Sequence, residues 1–232
     1  GHIEQVHGAV YLPDERQIIT CSVDGSLRLW DLESGAQTGE DWRDNENAGV
    51  RTMALSPNGK LVASGDNHGK VRLWDIKTRK IIAKWTRHSD VVCALCLSAD
   101  GERVVSGSWD GTARIWDVDS GKNILTIKTG HHWVRAVMYS PSSSRLATAG
   151  DKDDAVKIWD AKTGKLLTTL KHNWMVRSLA WTSDGKKLIS GSLALIRIFD
   201  TATWKQIAVL KDIHLVTAIS LSPNNRFLVS AS

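Results

Sequence analysis

The chain has 232 residues, 42% of them hydrophobic, and 30 Lys and Arg against 25 Asp and Glu give it a net charge of +5. That is enough apolar material for a sizeable core, and the basic excess is too small and too evenly spread to imply nucleic acid by itself. No apolar run approaches the ~20 residues a membrane helix needs, no charged-then-apolar leader opens the chain, and no Asn-x-Ser/Thr acceptor occurs.

Short β-rich runs start almost at once. His2 precedes a first predicted strand from Val6 to Leu12, followed by Gln17 to Ser22, an Asp24–Gly25 turn, Ser26 to Trp30, and Thr38 to Arg43 after Gly35. Asp-Gly between two such runs is a strong hairpin signal, because the turn needs positive φ at its centre. The pattern returns in Val50–Ser56, Leu61–Gly65, Lys70–Trp74 and Lys80–Trp85. Its clearest copy is Val91–Ser98, Arg103–Ser108, Thr112–Trp116 and Asn123–Lys128, with Asp110–Gly111 at the tight turn. Trp133–Ser140, Arg145–Ala149, Ala155–Trp159 and Leu166–Leu170 follow, then Val176–Thr182, Lys187–Ser192, Leu195–Phe199 and Gln206–Leu210. A sixth copy is cut short after Val216–Ser222 and Phe227–Ser230.

The aromatic that closes each third run falls at Trp30, Trp74, Trp116, Trp159 and Phe199, with spacings of 44, 42, 43 and 40. A period of ~40–45 residues with four strands per unit is the mark of a propeller blade. The expected fold is therefore all-β: a β-propeller of four-stranded antiparallel blades, five complete and a two-stranded partial sixth, in a ring that need not close. Blade boundaries fall near 1–43, 44–86, 87–128, 129–171 and 172–211, with 212–232 as the partial blade of one propeller domain. Sheets of this size cannot cover both their faces alone, so they stack around an axis, and the cut edge of the last one invites association.

Polar residues recur in step with these strands. His2, Thr20, Asp24 and Trp30 share offsets of 18, 4 and 6 with His88, Ser106, Asp110 and Trp116; His131, Thr148, Asp153 and Trp159 repeat them with one extra residue near the turn. Serine, histidine and aspartate invite a hydrolase reading, but a triad is needed once and this one occurs three times. The second repeat keeps Ser64 and Trp74 but has His68 at the Asp position and Asn47 near the His position; the fifth keeps His172 and Ser190, with Phe199 for Trp and Leu193–Ala194 for the turn Asp. These two blades are expected to loosen first. Cys93 and Cys96 spell C-x-x-C, yet an odd separation in a strand sends them to opposite faces and no second pair exists to complete a metal site. With Cys21 they read as small buried residues of a reducing compartment.

On these motifs the chain resembles the WD-repeat family over essentially its whole length. The resemblance implies a hydrogen-bonded chain from Trp through Ser/Thr and His to Asp that holds blades together, with no catalytic residue, cofactor or metal. It also implies that Arg28, Arg72, Arg114, Lys157 and Arg197, two residues before each closing aromatic, serve structure and not a phosphate ligand. Family members usually bind peptides or domains on the face that carries the loops before each first strand. By position that face displays His7, Thr52, Cys93, Arg135, Arg177 and Thr217, joined by Trp109, Lys152 and Trp133. Trp109, Trp133, Arg135, Lys152, Arg177 and His7 are the expected partner-binding residues, suited to an acidic or phosphorylated peptide. The expected function is a non-catalytic protein–protein scaffold, cytoplasmic with the nucleus as the alternative, and part of a larger signalling protein. A propeller enzyme with an axial site and a mildly basic nucleic-acid binder are the competing classes; no Walker motif, His-Glu-x-x-His or nucleophile elbow is present.

Overall fold

A computed structural model of the chain describes residues 1–46, 48–151 and 155–231, the side chains of 194 and 212–215 apart. Asn47, Lys152 and Asp153, each given a part by the sequence reading, lie outside the described residues, as does the side chain of Ala194. The described chain is all β, an open propeller of six antiparallel sheets that follow one another in sequence. The first sheet comprises β1 (Val6–Tyr11), β2 (Gln17–Ser22), β3 (Ser26–Asp31) and β4 (Trp42–Arg43). The second has β5 (Val50–Leu55), β6 (Leu61–Asp66), β7 (Val71–Asp75) and β8 (Lys80–Trp85), and the third β9 (Val92–Leu97), β10 (Arg103–Ser108), β11 (Thr112–Asp117) and β12 (Asn123–Lys128). The fourth has β13 (Val134–Tyr139), β14 (Arg145–Gly150), β15 (Val156–Asp160) and β16 (Leu166–Leu170). The fifth has β17 (Val176–Trp181), β18 (Lys187–Asp200) and β19 (Gln206–Leu215), and the sixth β20 (Ala218–Leu221) and β21 (Leu228–Ala231). Each sheet is a meander in chain order, and the first strands β1, β5, β9, β13, β17 and β20 lie side by side as its innermost members.

Burial lies between the sheets. Val105, Ile115 and Ile127 of the third sheet share one apolar cluster with Val134, Leu146 and Trp159 of the fourth. Ala147, Val156 and Ile158 on the other side of the fourth sheet pack with Val176, Leu188 and Phe199 of the fifth. A sheet whose inner strands are apolar on both faces satisfies both only by standing between two others, which is why one repeat cannot fold alone. The approach is close: a Cβ on Gly107 would come within 2.7 Å of Val134 Cγ1 in the next sheet. Gly111 in the Asp-Gly turn has φ +78°, and a Cβ there would meet the His131 carbonyl oxygen at 2.9 Å, so both conformation and space demand glycine.

One strand expectation is corrected. The predicted strand 38–43 shrinks to the two residues of β4, because Gly39 turns the chain at φ +70° and Gln37 makes only an isolated bridge with Trp30. In the fifth sheet the two predicted strands 187–192 and 195–199 follow one another without a break as β18. Its first half pairs with β17 and its second with β19. His172 nonetheless bonds Ser190 at 2.8 Å while its ring lies 5.6 Å from that of Phe199. Nine residues of straight strand would separate those partners by roughly 30 Å, so β18 folds back on itself without an Asp-Gly turn to mark the place.

Candidate functional site

The repeated polar residues meet as pairs of neighbouring strands bring them together. His2 Nδ1 lies 2.9 Å from Asp24 Oδ2, His2 Nε2 lies 2.7 Å from Thr20 Oγ1, and Trp30 Nε1–H donates to that hydroxyl at 2.8 Å. The third sheet repeats this through His88 to Asp110 at 2.7 Å, His88 to Ser106 at 2.7 Å, and Trp116 to Ser106 at 2.8 Å. In the fourth, Thr148 is 3.2 Å from His131 Nε2 and accepts from Trp159 at 3.0 Å. Burial pushes the Asp110 carboxyl up, but hydrogen bonds from His88 and Thr112 outweigh it and hold the group well below the usual carboxylate range. Burial likewise pushes Asp24 up, and hydrogen bonds from Ser26 and His2 outweigh it in the same way.

The second sheet has a device that sequence reasoning missed. Trp74 donates to Ser64 at 2.8 Å, but the place of the histidine pair is taken by Arg72, which is 2% exposed. Arg72 donates to Asp44 and to the fully buried Asp66, both at 2.5 Å, and Lys84 reaches Asp44 at 2.8 Å. Glu46 joins through Lys70 and Lys84. Although burial alone would raise it, hydrogen bonds from Lys84 and Arg72 bring the Asp44 carboxyl down to about 2. The acids sit in a loop before β5 and at the end of β6, outside the offsets that the other repeats follow. In the fifth sheet His172 bonds Ser190 and the Leu170 carbonyl, and Phe199 offers no donor.

The cations two residues before the closing aromatics are spent locally. Arg28 donates to Gln37 at 2.8 Å and faces Asp41 at 3.5 Å, Arg114 to Thr126 at 3.4 Å, Lys157 to the Thr129 carbonyl at 2.7 Å, and Arg197 to the Lys171 carbonyl at 3.1 Å.

A different set lies at the mouth of the axis. In each of the first five sheets the ladder between first and second strand skips one residue, after Val6, Val50, Val92, Val134 and Val176. The skipped residues are His7, Arg51, Cys93, Arg135 and Arg177. A β-bulge re-aims the side chain of the residue it leaves unpaired, and these five line one cavity of about 380 Å³ together with Val91, Trp109 and Thr217. The sequence transfer placed Thr52 here, one residue late; the repeated Val-x-small pattern, read as Val50–Arg51–Thr52 beside Val134–Arg135–Ala136, would have given Arg51.

Around the rim Trp109 and Trp133 stack with ring centroids 5.2 Å apart, and the Arg135 guanidinium lies 5.0 Å from the Trp133 centroid and 6.0 Å from that of Trp109. Arg135 donates to Asp151 at 2.8 Å; Arg51 donates to Asn67 at 2.5 Å and lies 2.9 Å from His7 Nε2. Arg177 rests on the Met175 sulfur at 3.5 Å. Burial, then the Arg51 charge, holds His7 below its ordinary range. Trp174, two residues after His172 as Trp133 is after His131, is 57% exposed and was also missed. Cys93 lines the cavity instead of lying in a core, and its thiol, pushed up to about 12 by burial, is no nucleophile. Cys21 is buried and Cys96 half-buried, both with raised thiols for the same reason. Among the described residues no group of three or more His, Cys, Asp or Glu is placed to hold a metal ion.

Comparison with known proteins places these features. A family model described as "Nucleolar protein 10-like, N-terminal domain", a β-propeller, matches residues 6–198. The U3 small nucleolar RNA-associated protein 15 homolog of Gallus gallus is 30% identical over 223 residues, 95% of this chain and 42% of that protein. The ribosome biogenesis protein WDR12 homolog of Ixodes scapularis is 36% identical over 99 residues, 41% of this chain and 22% of that one. U3 small nucleolar RNA-interacting protein 2 of Homo sapiens is 29% identical over 104 residues, again 41% of this chain and 22% of the relative. The chain thus spans less than half the length of each of these relatives.

Proposed function

The chain belongs to the WD-repeat β-propeller family, and from that premise we propose that it is a non-catalytic scaffold that binds protein partners at the mouth of its axis. The observation that carries this reading is the run of five bulges, which delivers five side chains that no ladder needs to one cavity beside a stacked tryptophan pair. Trp and Arg are the side chains that most often dominate binding energy at interfaces.

The hydrolase alternative fails on geometry. Ser106 has a histidine and an aspartate behind it, but it is fully buried and its oxygen already accepts the Trp116 N–H. A hydroxyl in that position meets no substrate. The names of the relatives, with U3 small nucleolar RNA and ribosome biogenesis in them, support a nucleolar ribonucleoprotein setting in place of the cytoplasmic signalling one suggested by sequence alone. In such a setting RNA is the competing occupant of the same mouth.

Affinity capture from cell extract with the wild-type chain beside a Trp133→Ala, Arg177→Ala double variant tests the reading, followed by reconstitution with the purified partner. A protein retained by the wild type and lost from the folded variant is the expected result. Equal retention by both would move the interaction off the mouth.

A further inference from the structure

The described residues of the mouth carry more positive charge than they neutralise. Arg51, Arg135 and Arg177 reach it from the second, fourth and fifth sheets, so they surround one space instead of lining one wall. Among the described residues only Arg135 has a carboxylate partner, Asp151, and no carboxylate lines the cavity. Arg51 is positioned by neutral Asn67 and His7, and Arg177 by a thioether, which leaves both charges uncompensated. Trp109 closes the same space, its buried Nε1–H turned toward the Cys93 sulfur.

We propose that this cavity binds a phosphomonoester: the phosphate of a phosphorylated serine or threonine side chain on a protein partner, held among Arg51, Arg135 and Arg177. The inference rests on the scaffold reading above and makes it conditional on modification of the partner. Charge supports the assignment, since among the described residues three guanidiniums against one Asp151 leave a surplus of two, and a phosphoserine carries about −1.5 to −2 at neutral pH. Shape supports it too. A carboxylate offers two coplanar oxygens and suits one guanidinium fork, whereas a terminal phosphate presents three oxygens to donors arriving from different sides. An RNA phosphodiester has two free oxygens, a single charge and a ribose on either side, so the strand must pass through a cavity of about 380 Å³ already walled by the innermost strands. A phosphorylated side chain hangs from one stem and enters from the open end.

The test uses the intact chain and intrinsic tryptophan fluorescence, with Trp109 and Trp133 as reporters. The probes are an acetylated Gly-Gly-phosphoserine-Gly-Gly amide, its glutamate and serine counterparts, inorganic phosphate, and a uridine decamer lacking terminal phosphates. The phosphopeptide is expected to bind at least about tenfold more tightly than the glutamate peptide, and Arg51→Gln or Arg177→Gln to weaken it about tenfold or more. Arg177→Lys should recover only part of that loss, because the charge returns without the fork. Lys60→Ala, in the turn between β5 and β6, should bind as the wild type does. Thermal melting of each variant separates lost binding from lost folding. Equal affinity for the phosphoserine and serine peptides would overturn the inference, as would RNA binding that the phosphopeptide cannot displace. If the captured partner still binds the wild type after phosphatase treatment but not the Trp133→Ala, Arg177→Ala variant, the scaffold reading stands and the phosphate inference falls.

Discussion

Trp85 lies flat on Trp116, ring centroids 5.2 Å apart and planes within 1° of parallel. The first ends the outer strand of the second sheet and the second closes the third strand of the next, so the stack is a joint between sheets. Trp42 meets Trp74 at the preceding joint, 6.2 Å apart and tilted by 41°, and Ile127 and Leu170 occupy the position in the clusters around Trp159 and Phe199. Trp85→Ala and Trp116→Ala should each cost ~3–5 kcal/mol through the cavity left behind, Trp116 adding the orphaned Ser106 hydroxyl. Because the rings touch, the double variant should lose less than the sum of the two by about 0.5–1.5 kcal/mol in urea denaturation. Strict additivity would count against the joint.

Removing Arg72 strands a buried acid. Asp66 is fully buried and loses its ion partner with the guanidinium, whereas the half-buried Asp44 keeps Lys84. Arg72→Met should therefore destabilise by ~3–5 kcal/mol. Adding Asp66→Ser should restore a large part of this, since Ser22, Ser108 and Ser192 stand at that position in other sheets. A double variant no more stable than the single one would show that Arg72 acts through its stem and not through its charge.

Acid should weaken the fourth and fifth sheets before neutral carboxylates matter. Burial, helped by Lys157, holds His131 down at about 4, and burial holds His172 at about 4, against 6.5 for a free histidine. Both are neutral when folded, so between pH 6.5 and 4 the unfolded chain binds more protons than the folded one. Stability is full above that window and falls as pH drops through it, by on the order of 1–3 kcal/mol for each histidine. Melting temperatures at stepped pH should show the decline, and His172→Asn should flatten it. A flat profile down to pH 4 would refute the assignment.

Hydrogen exchange should rank the sheets. The third has the full chain from Trp116 to Asp110, the second replaces it with ions around Arg72, and the fifth has only His172 with Ser190 and a carbonyl. Amides of β17 and β18 should exchange faster than those of β9 and β10. The ion network removes the second sheet from the pair that sequence alone marked as weak. Faster exchange in the third sheet than in the fifth would contradict the ranking.

The architecture was legible because its marks recur: a closing aromatic in five repeats, a histidine in four and an Asp-Gly turn in two, so that the period survives the loss of any one copy. What escaped was whatever broke step. Arg51 hid behind a one-residue bulge that shifts the register of side-chain direction without altering strand length. The partners of Arg72 hid because their acids come from a loop and a strand end that no other repeat uses. By contrast, the two arms of β18 were placed by the repeat length, although Leu193 and Ala194 carry none of the glycine chemistry that announces a turn elsewhere. Trp133, Arg135 and Arg177 could be named from their positions, whereas the cavity that Arg51, Arg135 and Arg177 surround exists only once the sheets are assembled.

Each bulge adds a residue that hydrogen-bonded pairing and apolar contact leave alone. Positions 7, 51, 93, 135 and 177 are therefore free to vary one at a time, while the valine before each keeps its seat. A lineage built on this chain can acquire new selectivity as a lock is re-keyed, pin by pin, with the cylinder never taken apart.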